Sequence, residues 1–218
     1  MTASFMLHFW TRSVLTRFHF QFFSNISLEF DDYGLGSEEI VRKNNYGENM
    51  HIAIALFTIF SAWRWADRKN WRNYHPTMLF ITSGGLLYEF LTKNHSLWVF
   101  HPDFLYNQSL VVLIYAVITM PLCVLIFLSC YPQTWTKQVV FLLLWISIFV
   151  STEGILELCG RISYQHGWSF WHSVLFDIMM FPMLRLHHLK PIRAYIISII
   201  IIVILMVWLK VPLDGGAT

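Results

Sequence analysis

Apolar residues fall along this chain in long blocks separated by short polar punctuation, with little of the strict alternation that marks half-buried strands. Six blocks, at about 50–65, 76–91, 109–130, 138–160, 168–184 and 191–210, are apolar enough for helices at membrane depth, where a span takes about 17–25 residues. The first, second and fifth are at the short end. Pro76 and Pro191 suit the first turns of the second and sixth helices, where a missing N–H costs nothing. Pro121 and Pro182 fall inside the third and fifth, where they predict kinks.

The expected class is all-α, a polytopic transmembrane helix bundle of about six helices with an N-terminal interfacial helix. Residues 1–47 form an amphipathic, interfacial segment and linker, 48–211 the bundle, and 212–218 a short tail. Met1 to Phe23 mixes Arg12 and Arg17 with Phe5, Trp10, Phe18, Phe20, Phe22 and Phe23, the pattern of a helix lying in the membrane surface. It is too charged and aromatic for a signal-peptide core. No internal repeat or inverted duplication is visible.

Composition agrees with a membrane class: of 218 residues, 56% are hydrophobic and only 13% charged, about half the charge of a soluble domain. The formal charge of +2 and the absence of a basic stripe speak against nucleic acid. Cys123, Cys130 and Cys159 make no CxxC pair and read as small buried hydrophobes.

Basic residues predict orientation. With the loop after the first span inside, the inner loops carry Arg64, Arg68, Lys69, Arg72, Lys137, Arg185, Lys190 and Arg193; the outer loops and tail carry Lys93, Arg161 and Lys210. The expectation is a multi-pass cell-membrane protein with N- and C-termini extracytoplasmic. Anionic headgroups are the expected partners at Arg64–Arg72 and at Arg185–Arg193, the latter read as a basic inner loop. A homo-oligomer or a partner membrane subunit is also compatible. Trp98 and Trp168 fall where an outer aromatic belt belongs.

Glu89, Glu153, Glu157 and Asp177 interrupt blocks that are otherwise apolar. Charges at such depth are costly, so they usually face a bundle interior or a wet cavity. Glu153, Glu157 and Arg161 recur every four residues and share one helix face. From a span centre at 149, a rise of about 1.5 Å per residue puts them roughly 6, 12 and 18 Å toward the outer side. Ser169, Ser173 and Asp177 make a second stripe, with His172 beside it, and Thr82, Gly85 and Glu89 a third. These stripes predict one outward-opening acidic site, with Tyr164, His166, His95 and His101 near its rim. The bland alternative is that each carboxyl is interhelical glue, paired within the bundle.

Ten histidines are present without any HExxH spacing. A metal held by His166, His172, Glu157 and Asp177 is conceivable, but no metal is assigned and no cofactor is named. A haem would need His51 to face His172.

Taken in order, Trp65 and Asp67, Trp71, Tyr74, Pro76 and Thr77, Tyr88 and Glu89, Leu97 and Trp98, Trp145, Glu153, Tyr164, Gly167 and Trp168, and His187, His188 and Pro191 resemble an uncharacterised family of small multipass membrane proteins from spore-forming Gram-positive bacteria. The resemblance covers roughly 50–195. It implies five or six helices in a plasma membrane and no activity, and the extension before Tyr46 departs from its compact pattern.

The functional expectation is therefore a proton- or cation-linked channel or small-solute transporter using Glu89, Glu153, Glu157, Asp177, Arg161, His172 and His166. The alternatives are a membrane-embedded enzyme acting on a lipid or prenyl substrate, and a non-catalytic sensor or scaffold subunit.

Overall fold

The chain was analysed as a computed structural model that describes residues 49–102 and 107–211. The interfacial helix and linker expected over 1–47, and the tail over 212–218, lie outside the described residues. Within them the chain is mostly helical, with helices α1 (Met50–Trp65), α2 (Trp71–Leu91), α3 (Gln108–Ser129), α4 (Trp135–Leu158), α5 (Phe170–Leu189) and α6 (Pro191–Trp208). Three of them, α3, α4 and α6, are long and apolar enough to cross a membrane. The apolar pattern thus predicts the number and order of the helices, and the departures at their ends are local.

Helix α2 begins at Trp71, so Pro76 sits inside the helix instead of in its first turn. Residues ahead of a proline can still wind, because proline deprives only the carbonyl four residues back of its donor. Helix α5 runs on to Leu189, and only Lys190 separates it from α6. The segment expected as a basic inner loop, Arg185–Arg193, is therefore a tight helix–helix joint.

Helix α3 is not uniform. A π-turn at Tyr115–Thr119 interrupts it just ahead of Pro121, and such single turns are the common way to absorb a break in helical register. Its start is fixed by Asn107, whose side chain accepts the Leu110 N–H at 2.9 Å.

An element absent from the sequence expectation joins the two loops at one end. Strands β1 (Trp98–Phe100) and β2 (Ile162–Tyr164) pair antiparallel, with Trp98 opposite Tyr164 and Phe100 opposite Ile162. The loop after α4 is aimed by Gly160 at φ +68°. Gly160 N–H donates to Glu157 C=O and Arg161 N–H to Leu156 C=O at 2.7 Å, the two bonds of a Schellman stop. Consequently Arg161 lies beyond the helix and does not continue the Glu153–Glu157 stripe.

The opposite end gathers the basic joints. Asp67 N–H donates to Ser129 Oγ at 3.1 Å, and the Arg185 guanidinium lies 4.3 Å from the Tyr131 ring centre. Between the ends, α3 packs on α1 and α2, and α5 on α2, α4 and α6. Phe127, fully buried, meets Phe141 and Trp145 of α4 and Phe181 of α5 with ring centres 5.3–5.7 Å apart.

The exterior is apolar where a water-soluble bundle would be polar, and several polar side chains are buried beside the aromatic core. His51, Thr58, Ser61, Thr77, Thr119, Ser173, Asp177 and His187 are buried, while Leu56, Phe57, Phe60, Ile199, Ile200, Val203, Ile204 and Val207 are exposed. Outward apolar faces on this scale are what a hydrocarbon solvent favours, with close packing and interhelical hydrogen bonds holding the helices together.

Candidate functional site

The hairpin end holds the densest polar cluster. Glu153, half-buried on α4, accepts through Oε1 from the Tyr164 hydroxyl at 2.9 Å and from the Trp98 indole N–H at 3.2 Å. The cross-strand pair Trp98–Tyr164 thus delivers two donors to one carboxyl oxygen. Trp98 Nε1 is shared, since it also donates to Ser173 Oγ at 2.9 Å. Trp168 Nε1 donates to the same Ser173 Oγ at 3.0 Å.

Local structure explains why these indoles converge. Tyr88, near the end of α2, accepts the Leu97 and Trp98 backbone N–H groups at 3.0 and 3.1 Å and so anchors the start of β1. The turn Gln165–Trp168 closes with a 3.0 Å bond, and its central residues His166 and Gly167 both have positive φ, as type I′ turns require. This turn drops Trp168 onto α5, and its ring centre lies 4.6 Å from that of Trp98.

One turn along α5 from Ser173 is Asp177, 5% exposed, with Oδ2 buried and no hydrogen-bond partner among the described residues. Ser173, on the same face of α5, shares the Trp98 indole N–H with Glu153, which places the two acids around one corner of the bundle. A buried acceptor without a donor costs about 1–3 kcal/mol, so its persistence asks for a reason. The cluster therefore sets a carboxyl oxygen with two donors, Glu153 Oε1, near a buried one without any, Asp177 Oδ2. Burial and, after it, the neighbouring Glu153 carboxyl push the Tyr164 phenol well above the usual tyrosine range.

Of the site residues predicted from sequence, the structure brings Glu153 and Asp177 together. Glu157, one turn nearer the hairpin, is exposed. Glu89 is half-exposed near the end of α2, where its charge acts on Tyr88. Arg161 contributes its backbone carbonyl to His101 N–H at 3.0 Å. His172 lies between Trp168 and Trp208 with Nδ1 2.8 Å from Ser169 Oγ. His166 is exposed, stacked on His95 at 3.7 Å, with Nδ1 against Ser96 C=O.

The metal set imagined from His166, His172, Glu157 and Asp177 is thus dispersed, and among the described residues no group of three or more such ligands is gathered. His51 and His172 do not form a haem pair either. His51 lies between Tyr115 OH at 3.1 Å and His101 C=O at 3.2 Å, on the α1–α3 side.

Sequence reasoning missed Trp98, Trp168 and Ser173 as partners of the acids. The two tryptophans read as a lipid-facing belt, whereas Trp168 is buried and Trp98 half-buried. Ser173 stands on the stripe with Asp177, which was the available signal. No known family, curated protein or solved structure matches the chain.

Proposed function

We propose that this is a polytopic membrane protein that takes up a proton or small cation at the Glu153–Asp177 site, as part of transport across the bilayer. The observation that carries the reading is the buried, unpartnered Asp177 Oδ2 near a second carboxyl. A bound cation or proton would complete that acceptor. Intramembrane acids that face a bundle interior are used in this way.

Three helices long and apolar enough to span and the outward apolar faces support six crossings, with the shorter α1 and the more polar α2 and α5 packed among them. Segregation of Arg64, Arg68, Lys69, Arg72, Arg185, Lys190 and Arg193 to the end opposite the hairpin supports an extracytoplasmic hairpin and both termini on that side. Lys190 and Arg193, exposed at the α5–α6 joint, suit anionic headgroups.

The test is flux in proteoliposomes. The wild-type chain carries protons or a monovalent cation, and Glu153→Gln and Asp177→Asn each lower the rate at least tenfold. Rates unchanged in both variants remove the reading.

A further inference from the structure

Asp177 is not the only buried titratable side chain on α5 left with an unpartnered atom. His187, near the opposite end of the helix, is 2% exposed, and its Nε2 is buried with no hydrogen-bond partner among the described residues. Its Nδ1 lies 3.0 Å from the hydroxyl of Thr77, itself 1% exposed, on α2. The ring stacks on Phe80 at 4.2 Å and 17°, and meets Tyr195 of α6 edge-on at 5.1 Å.

The contrast with His51 is informative. Both are deeply buried, but His51 faces a carbonyl with Nε2, which fixes the proton there, and Tyr115 with Nδ1. Its two nitrogens are committed. In His187 one nitrogen faces a hydroxyl and the other nothing. A threonine hydroxyl both donates and accepts, so it serves the neutral ring in either tautomer and the imidazolium equally well. The Phe80 face stacked on the ring offers the imidazolium one attractive contact. The other groups near this ring are His188, stacked on Tyr74, and Arg185 over Tyr131. No carboxylate is seen against it among the described residues.

We propose that His187, held by Thr77, is a second proton-binding station at the basic end of α5, so that the ion exchanged at the Glu153–Asp177 site is a proton. This rests on reading that site as the cation site. The proton lost from the Asp177 carboxyl is taken by the lone pair of His187 Nε2, giving an imidazolium, which then returns it to water at the basic end; only O–H and N–H bonds change. Ten residues of helix separate the two, about 15 Å, which is too far for direct transfer. Phe181 and Leu184, 1% and 2% exposed, lie in that interval on the buried face and act as the barrier that water must cross or that helix movement must open.

The experiment uses the full chain in liposomes with a pH-sensitive dye inside and a potassium diffusion potential as the driving force. Wild type acidifies the lumen, Asp177→Asn and His187→Gln each slow it at least tenfold, and Thr77→Val slows it several-fold. Loss in Asp177→Asn with an unchanged rate in His187→Gln overturns the second station and leaves the acidic site standing. A wild type that carries sodium or tetramethylammonium but no protons overturns the proposal, proton and second station alike, and leaves the acidic site standing as a cation site. Unchanged rates in Asp177→Asn and His187→Gln together remove the acidic site as well. Should His187→Gln fail to fold, ring nitrogen NMR of histidine-labelled wild type decides. His187 Nε2 is expected to titrate with pH on the basic side, and a ring that stays neutral down to pH 4.5 overturns the proposal.

Discussion

At the scale of single residues, the cluster works by sharing a few atoms among many donors. Ser173 Oγ accepts from both Trp98 and Trp168, which uses both of its lone pairs. Ser173→Ala removes that acceptor, yet Trp98 keeps Glu153 while Trp168 keeps nothing. The expected cost is about 1–3 kcal/mol, for one buried N–H left without a partner, read as a lower thermal midpoint in detergent. Tyr164→Phe removes one donor from Glu153 and about 1 kcal/mol at neutral pH. The same variant reports on pH. In the folded chain the Tyr164 phenol holds its proton above the usual range, because of burial and then Glu153. Its contribution is therefore complete below the unfolded value near 10 and is lost as pH rises above it. Wild-type stability should fall above pH 10 more steeply than that of Tyr164→Phe, and parallel alkaline curves would contradict the assignment. Glu153 and Asp177 could be picked out in the sequence as charges in apolar blocks, but the same signal picked Glu89 and Glu157, which the structure leaves half-exposed and exposed. The partners of Glu153 were not legible, since a tryptophan near a membrane surface has the same sequence signature whether it faces lipid or donates into a core.

At the scale of elements, the number and order of the helices followed from the apolar blocks, while α2 starts five residues before its block and α5 ends five residues after its own, because helix winding continues through polar residues that periodicity alone excludes. What failed was the assumption that a four-residue stripe persists: Gly160 ends α4 before Arg161, and Glu157 emerges at the last turn. Packing of α2 on α3 offers a sharper test. A Cβ built on Gly85 would lie 3.1 Å from Ala116 Cβ in the π-turn, whereas one on Gly84 meets nothing within 4 Å. Ala116 has no side-chain rotation by which to yield. Gly84→Ala should therefore stabilise the helix by about 0.5–1 kcal/mol, and Gly85→Val should cost about 1–3 kcal/mol by overpacking. Thermal unfolding of the two variants checks this; equal shifts of one sign would mean that α2 and α3 do not meet at Gly85.

At the scale of the whole molecule, the chain is organised as two polar ends around an aromatic waist. The hairpin end keeps Glu153 and Asp177, the basic end keeps Thr77 and His187, and Phe127 and Phe181 close the interval between them. The apolar exterior could be read from composition, but the pairing of β1 with β2 could not. Each strand is three residues long and their partners are far apart in sequence, too little pattern for any periodicity to reveal. That pairing has a consequence for how the protein is made. Strand β1 leaves the ribosome before α3, and β2 only after α4 is complete, so the sheet cannot close until four helices have been synthesised. Trp98 is made well before Glu153, but the Tyr164 hydroxyl and Ser173 follow it. The Glu153 carboxyl thus has both of its donors only once the hairpin has closed, so that this late pairing, and not the winding of α4, completes its surroundings.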